Sequence, residues 1–379
     1  MNREQAPVRV LHIVGSMHPG GMENFIMNLY RAIDRNHVQF DFIVHQSGDA
    51  DYEREIREMG GKLYTLPRLT AHPVSNLRQV YRIVKDGQYG VVVRHTPNAL
   101  AAPQIFAALW AGAYAVCHSH NTTDPKKLLH ALGKAMMKHA RIGRFACSKD
   151  AGLWMFGNRK FQVIHNAVDM ERFCFSDQKR SLIRTEFSLG SRHVYGHIAN
   201  FTGSKNHVFL MKVYAEIAKL DAKAAFFCIG DGELKESIRQ EAEKLGIGNK
   251  VLFTGVRHDT DAFLSAMDVL IFPSLFEGLP LTLIEAQAAG LPILLSENVT
   301  RDVEVTEGLI DWEPIDEEPE RWAHKAVELA AHQWDRACQR DRIAAAGYDI
   351  ESLAKWYENY FIREASKREN EKYDGKRKR

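Results

Sequence analysis

The chain has 379 residues, 45% hydrophobic and 26% charged, and this length predicts two domains rather than one core. It holds no run of about 18 apolar residues, and Met1-Asn-Arg-Glu-Gln-Ala-Pro7 lacks a signal-peptide core, so we expect a cytoplasmic protein that spans no membrane. The net charge of +2 conceals an asymmetry: residues 1–170 hold 21 Lys/Arg against 13 Asp/Glu (+8), the remainder 29 against 35 (−6), so the first half suits an anionic partner such as a membrane surface or a phosphorylated substrate, or equally carries an unequal solvated face; no nucleic-acid partner is expected.

In chain order, apolar β-rich runs at Arg9–Gly15, Gln39–His45, Lys62–Pro67, Val91–Thr96, Tyr114–His120, Phe145–Ser148 and Gln162–His165 predict seven strands. Helical patterns lie between them, among them Glu23–Ile33 with Phe25, Ile26, Leu29 and Ile33 on one face. The stretch 125–144 is basic and amphipathic: Leu128, Leu129, Leu132, Met136 and Met137 lie beside Lys126, Lys127, Lys134, Lys138 and Arg141. Such a helix suits an anionic membrane surface, or equally a core-facing helix with a basic outer side. Polar residues at 168–182 interrupt the pattern and place a domain boundary at 172/173. Six more strands are predicted at Val194–Phe201, Ala224–Gly230, Val251–Gly255, Val269–Pro273, Pro292–Ser296 and Gly308–Trp312, and a helix at Glu351–Ser366 precedes a charged tail. Continuous runs such as Ala225-Phe-Phe-Cys-Ile-Gly230 read as parallel strands buried on both faces. The fold class is therefore α/β, with two doubly wound Rossmann-like domains, 1–172 and 173–349, whose strand ends face a central cleft; residues 350–379 are expected to pack back on the first.

Five scattered cysteines without CxxC spacing argue against a disulfide framework or a structural zinc, and read as small buried hydrophobes. Chemistry concentrates at strand ends. After Val269–Pro273, Glu277 falls on a loop and Glu285 in a helix starting near Pro280, where Glu285 sits among apolar neighbours. The backbone of Gly278 and Leu279 at that helix start suits a diphosphate, and the two carboxylates suit sugar hydroxyls. Lys205, ending Ile198-Ala-Asn-Phe-Thr-Gly-Ser-Lys205, is placed to put a point charge on a diphosphate leaving group. Gly20 and Gly21 allow close approach of a ligand to the backbone where the first helix starts. Two DxD matches, at Asp49–Asp51 and Asp259–Asp261, do not follow suitable strands; Asp259 or Asp261 reads as a helix N-cap, so no metal is expected.

The segment Phe272-Pro-Ser-Leu-Phe-Glu-Gly-Leu-Pro-Leu-Thr-Leu-Ile-Glu285 resembles the Glu-x7-Glu signature of family 4 retaining glycosyltransferases, the bacterial polysaccharide-type glycosyl transferases of group 1, which have the GT-B fold. The resemblance implies that Glu285 holds the donor ribose, Glu277 approaches the donor sugar beside the reacting carbon, and Gly278 and Leu279 offer backbone donors. It implies phosphate contacts at Gly20, Gly21 and Lys205, nucleotide contacts at Gly230, Val256 and Arg257, and a histidine, here His120, beside the donor sugar and acceptor. His118 and, more weakly, His95 compete for that last role. Asn200 stands where the family usually has arginine, which removes one positive charge from the phosphate site while keeping a hydrogen-bond donor. Catalysis is thus expected from His120, Lys205 and Glu277, without a metal cofactor. The implied activity is retaining transfer of a sugar from a nucleotide diphosphate, UDP above all, to a glycan or lipid-linked glycan in cell-surface or exopolysaccharide synthesis, on the inner face of the membrane if 125–144 docks there. A nucleotide-sugar 2-epimerase of the same fold and a catalytically silent partner subunit are the alternatives.

Overall fold

A computed structural model describes residues 6–18, 20–45, 51–121, 127–277 and 279–377. The chain divides into two compact units, one formed by 1–167 with 350–379 and the other by 168–349.

The first unit is built on a seven-stranded sheet of β1 (Val8–Ile13), β2 (Val38–Val44), β3 (Leu63–Thr65), β4 (Val91–Thr96), β5 (Tyr114–Ser119), β6 (Gly143–Ala146) and β7 (Gln162–Val163). The strands are parallel in the order β3-β2-β1-β4-β5-β6-β7. Alternation along each strand sends Val10, Val91, Val93 and Val116 into one apolar layer and Leu11, Ile13, Val92 and Cys117 into the other. The helix Gly21–Ala32 buries Phe25, Ile26 and Leu29 in the first layer. The same layer is closed by the helix Ile350–Arg377, through Ile350, Ala354, Tyr357, Phe361 and Ala365. Spacings of three and four residues put this set on one helical stripe. Helical structure extends past the Ser366 expected from the sequence because the polar residues after the apolar stripe include no proline, and Gly375 falls only near the helix end.

The second unit repeats the plan with β8 (Val194–Ile198), β9 (Ala225–Ile229), β10 (Val251–Gly255), β11 (Val269–Phe272), β12 (Ile293–Ser296) and β13 (Ile310–Glu313). These are parallel in the order β10-β9-β8-β11-β12-β13. β9 is buried along its whole length, Phe227 and Ile229 facing one core and Phe226 and Cys228 the other. Each sheet reverses its direction of growth once, between β1 and β4 in the first unit and between β8 and β11 in the second. Ligands of open parallel sheets bind beyond the strand ends at such reversals.

The units part at 167/168, five residues before the boundary expected from composition. Polar Asp169-Met-Glu-Arg172 looks like a linker, but Val168, Met170 and Phe173 are core residues of the second unit. Its two chain ends meet: Val168 N–H donates to the Tyr348 carbonyl at 2.7 Å and Val168 bridges Asp349. The expectation of five unpaired cysteines is also corrected. Cys174 and Cys338 form a disulfide across 164 residues of sequence, their Cα atoms 5.0 Å apart, because folding brings both ends of this unit together. Cys117, Cys147 and Cys228 are free.

Candidate active site

At the reversal in the second unit, the loops after β8 and β11 lie against each other, with Leu275 N–H donating to the Ser204 carbonyl at 2.8 Å. Gly203–Lys205 is a single 3-10 turn rather than the start of the helix, which begins at His207 after Asn206 takes a left-handed conformation at φ 56°. The Lys205 ammonium is thereby turned onto the Glu277 carboxylate, and it lies 5.4 Å from the centre of the Phe272 ring. Both side chains are largely covered, at 18% and 12% exposure. A covered lysine held by one carboxylate is a positive charge with little water around it, where an anion is felt strongly. Asn200 is exposed just after β8.

Gly230 ends β9 with φ +136°, and a Cβ there would fall 2.0 Å from the Ala199 carbonyl oxygen. The backbones after β8 and β9 are thus packed more closely than any side chain permits. Gly230→Ala is expected to destabilise the protein by about 1–3 kcal/mol from backbone strain alone, with the overlap adding to it; urea unfolding measures this.

The helix Leu281–Ala288 begins one residue later than the sequence suggested, with Pro280 as its cap and Leu279 just before it. Gly290 follows it at φ +57°, the expected C′ glycine. Glu285 is only partly accessible, and burial pushes its carboxyl up to about 7, with Arg172 opposing and Asp261 adding to the rise. These two residues, with Val256, Arg257, His258 and Asp259, line an open pocket of about 560 Å³. Val256 is 65% exposed at its rim. Asp259 occupies the N-cap position of the helix Thr260–Ala266 without capping it, because Arg257 takes its carboxylate at 2.8 and 2.7 Å. Asp261 is held by Arg172 at 3.1 Å and Lys179 at 2.7 Å. The structure thus groups Asn200, Lys205, Gly230, Val256, Arg257, Glu277, Leu279 and Glu285 along the strand ends of one unit; Gly278 lies outside the described residues. Arg172 escaped sequence reasoning, since it sits in the stretch that reads as a linker and only folding carries it to the pocket.

In the first unit Gly20 caps the helix Gly21–Ala32 with extended backbone and no side-chain cap. A Cβ at Gly21 would meet nothing within 4 Å, so the unit's own packing does not demand a glycine at that helix start. His120 lies just beyond β5 and does not stand alone. Its Nε2 is 3.0 Å from Nδ1 of His95, whose Nε2 is 3.0 Å from Nδ1 of His12, a residue the sequence reading passed over. Burial pushes His120 and His12 down to about 3 and holds His95 and His118 well below the usual imidazole range, so the four are neutral at physiological pH.

The match to known proteins follows this division. Residues 19–172 match the family described as "Glycosyltransferase Family 4", and residues 180–325 match "Glycosyl transferases group 1". Over 368 residues the chain is 33% identical to the putative glycosyltransferase EpsF of Bacillus subtilis, covering 93% of this chain and 95% of that one. The chain belongs to glycosyltransferase family 4. It is also 24% identical, over 78% of its length and 81% of the relative's, to an Escherichia coli UDP-Gal:alpha-D-GlcNAc-diphosphoundecaprenol alpha-1,3-galactosyltransferase. Among solved structures, Anabaena Alr3699/HepE in complex with UDP superposes with a TM-score of 0.75 at 17% identity, over 93% of this chain and 99% of that one. A glycosyltransferase from Rickettsia africae gives 0.75 at 15% identity, over 94% and 98%. These likenesses establish the fold as GT-B, and the protein is a glycosyltransferase of hexosyl type.

Proposed function

We propose that this glycosyltransferase moves a sugar, with retention of configuration, from a UDP-linked donor to a glycan or lipid-linked glycan in cell-surface polysaccharide synthesis. The observation that carries the reading is the covered Lys205–Glu277 pair at the sheet reversal, with partly buried Glu285 one helical turn and a half beyond. Lys205 leaves Glu277 to neutralise the departing diphosphate, and Glu277 is freed to meet the donor sugar. Leu279 offers backbone just before the helix start, Gly230 keeps the floor of the site low, and Asn200 adds a neutral donor at the phosphates. Glu285 takes the ribose hydroxyls; Val256 and Arg257 border the base. To Gly20 and Gly21 of the first unit we assign contact with the phosphates and acceptor, and to His120 a role toward the donor sugar. UDP as donor nucleotide is supported by the name of the Escherichia coli relative and by the UDP complex of HepE. Metal-independent transfer is supported by the engagement of Asp259 and Asp261 with Arg257, Arg172 and Lys179.

Titration calorimetry with UDP tests the donor: binding of one UDP per chain is expected, and none would overturn the reading. UDP should be released from the UDP-sugar only when acceptor is present, and at the same rate with and without added Mg²⁺. Proton NMR of the product should show the donor's anomeric configuration. For location, we propose a cytoplasmic protein resting on the inner membrane face through the helical part of 125–144. Residues 125 and 126 lie outside the described residues, and the helix that follows, Lys127–Met137, exposes Leu128, Leu129, Leu132 and Met136 to 76%, 49%, 57% and 49%. No described helix is long and apolar enough to cross a membrane. Replacing Leu128 and Leu132 with Asp should abolish co-sedimentation with anionic vesicles and leave thermal stability unchanged; unaltered co-sedimentation would refute this surface.

A further inference from the structure

Of the four neutral imidazoles in the first unit, glycosyl transfer as proposed uses one. We infer that His95, His118 and His120 form a binding site for a divalent transition cation of the Zn²⁺ type. The inference stands on the first unit alone and does not depend on the donor assignment.

The register of the sheet builds the site. His95 of β4 and His118 of β5 are directly paired, and the two-residue period puts His120 on the same face one step further on. One ring nitrogen from each of the three lies within 4.8 Å of one from each of the others. Three imidazoles bound at about 2.0–2.1 Å would stand roughly 3.4 Å apart, so small side-chain rotations complete the shell. His118 supplies the independent sign of a ligand. It is wholly buried, yet neither Nδ1 nor Nε2 has a hydrogen-bond partner among the described residues. A buried imidazole with both nitrogens unpartnered is costly and calls for an explanation; a lone pair directed at a cation is one.

His12 completes the arrangement. In the tautomer where His95 donates from Nε2 to His12 Nδ1, at 3.0 Å, the lone pair on His95 Nδ1 faces His120 Nε2. A metal-bound histidine ordinarily donates its far N–H to such a partner, which fixes ring orientation and raises basicity. His120 shifts its own proton from Nε2 to Nδ1 to expose its lone pair, so the ion enters with no net proton released. Phe25 packs 5.3 Å from His118, and Phe361 packs 6.3 Å from His12, closing the inner side. His120 is partly accessible and provides the entrance. Three neutral imidazoles without a carboxylate favour Zn²⁺, Ni²⁺ or Cu²⁺ over Mg²⁺ and Ca²⁺, and they leave a fourth position for water. Nearby Arg94, bonded to the Ile13 carbonyl at 3.0 Å and to that of His95, opposes a cation and sets an upper limit on affinity.

The test is Zn²⁺ titration of the chelator-treated full chain, compared with His118→Leu, which removes one ligand together with its unpartnered nitrogens. We expect one Zn²⁺ per wild-type chain, bound at least about 100-fold more tightly than by His118→Leu, and an unfolding temperature that rises with Zn²⁺ in wild type only. His12→Phe should weaken binding by about 10- to 100-fold while keeping the 1:1 ratio. Co²⁺ should develop the intense visible bands of a four-coordinate ion. Equal Zn²⁺ affinity in wild type and His118→Leu would place the ion on other members of the 17 histidines and overturn the inference. If His118→Leu does not fold, a weak six-coordinate Co²⁺ spectrum of the wild type does the same.

Discussion

Lys205→Ala is expected to lower kcat by about 10²–10³-fold, the usual loss when one preorganised charge at a developing anion is removed. Without donor, Lys205 is held by Glu277, so its charge is already desolvated and aimed before the diphosphate arrives. Lys205→Arg should restore little, because a planar fork cannot replace a point charge in so small a space. Lys205→Ala also strands the Glu277 carboxylate at 12% exposure, a second source of loss. The double variant Lys205→Ala, Glu277→Gln separates the two causes. If Lys205 only balances Glu277, the double variant recovers the rate; if both act on the donor, it stays slow and the effects are not additive. Initial rates of UDP release in the presence of acceptor decide between them.

Glu285→Gln is expected to weaken UDP-sugar binding by about 10- to 100-fold, the worth of hydrogen bonds to a charged acceptor. It should also change how the protein responds to pH. Burial raises this carboxyl from 4.5 to about 7, so the folded state keeps a proton that the unfolded chain releases. The resulting stability is fully present below about pH 4.5 and is lost as pH rises through about 7. Glu285→Gln never ionises, so its stability should lack this decline and exceed that of wild type at about pH 8. Donor hydroxyls favour the carboxylate, so wild-type affinity should rise by up to about tenfold per pH unit below 7, with proton release on binding. Calorimetry in buffers of different ionisation enthalpy measures that proton. A pH-independent affinity in wild type would mean that the ribose does not contact Glu285.

The alternation of strand and helix was legible in the sequence because parallel strands buried on both faces are continuous apolar runs. All thirteen strands lie at or within a few residues of where Val91–Thr96, Ala224–Gly230 and their counterparts suggested. Glu285 was legible for a related reason, since a charge between Ile284 and Ala286 has no ordinary place. What escaped depended on distance in space. Nothing in the composition of residues 168–182 reveals that Met170 and Phe173 are core or that Arg172 lines a pocket. Cys174 and Cys338 have no spacing to connect them. His12 looks like a strand residue until the register sets β1 beside β4, and Asp259 takes the expected N-cap position without the cap hydrogen bond because Arg257 holds its carboxylate.

The helix Ile350–Arg377 closes the apolar layer of a sheet whose strands all lie before residue 164. On a ribosome that sheet is made first but cannot be sealed until residues 350–365 emerge. The second unit, bounded by the meeting of Val168 with Tyr348 and Asp349, has its whole complement of strands earlier. Order of synthesis and order of completion are therefore opposed. A released chain ending at residue 349 would carry the second unit whole beside a first unit with Val10, Val93 and Phe40 lacking their cover, and chaperones that recognise apolar surface would meet the older half of the molecule.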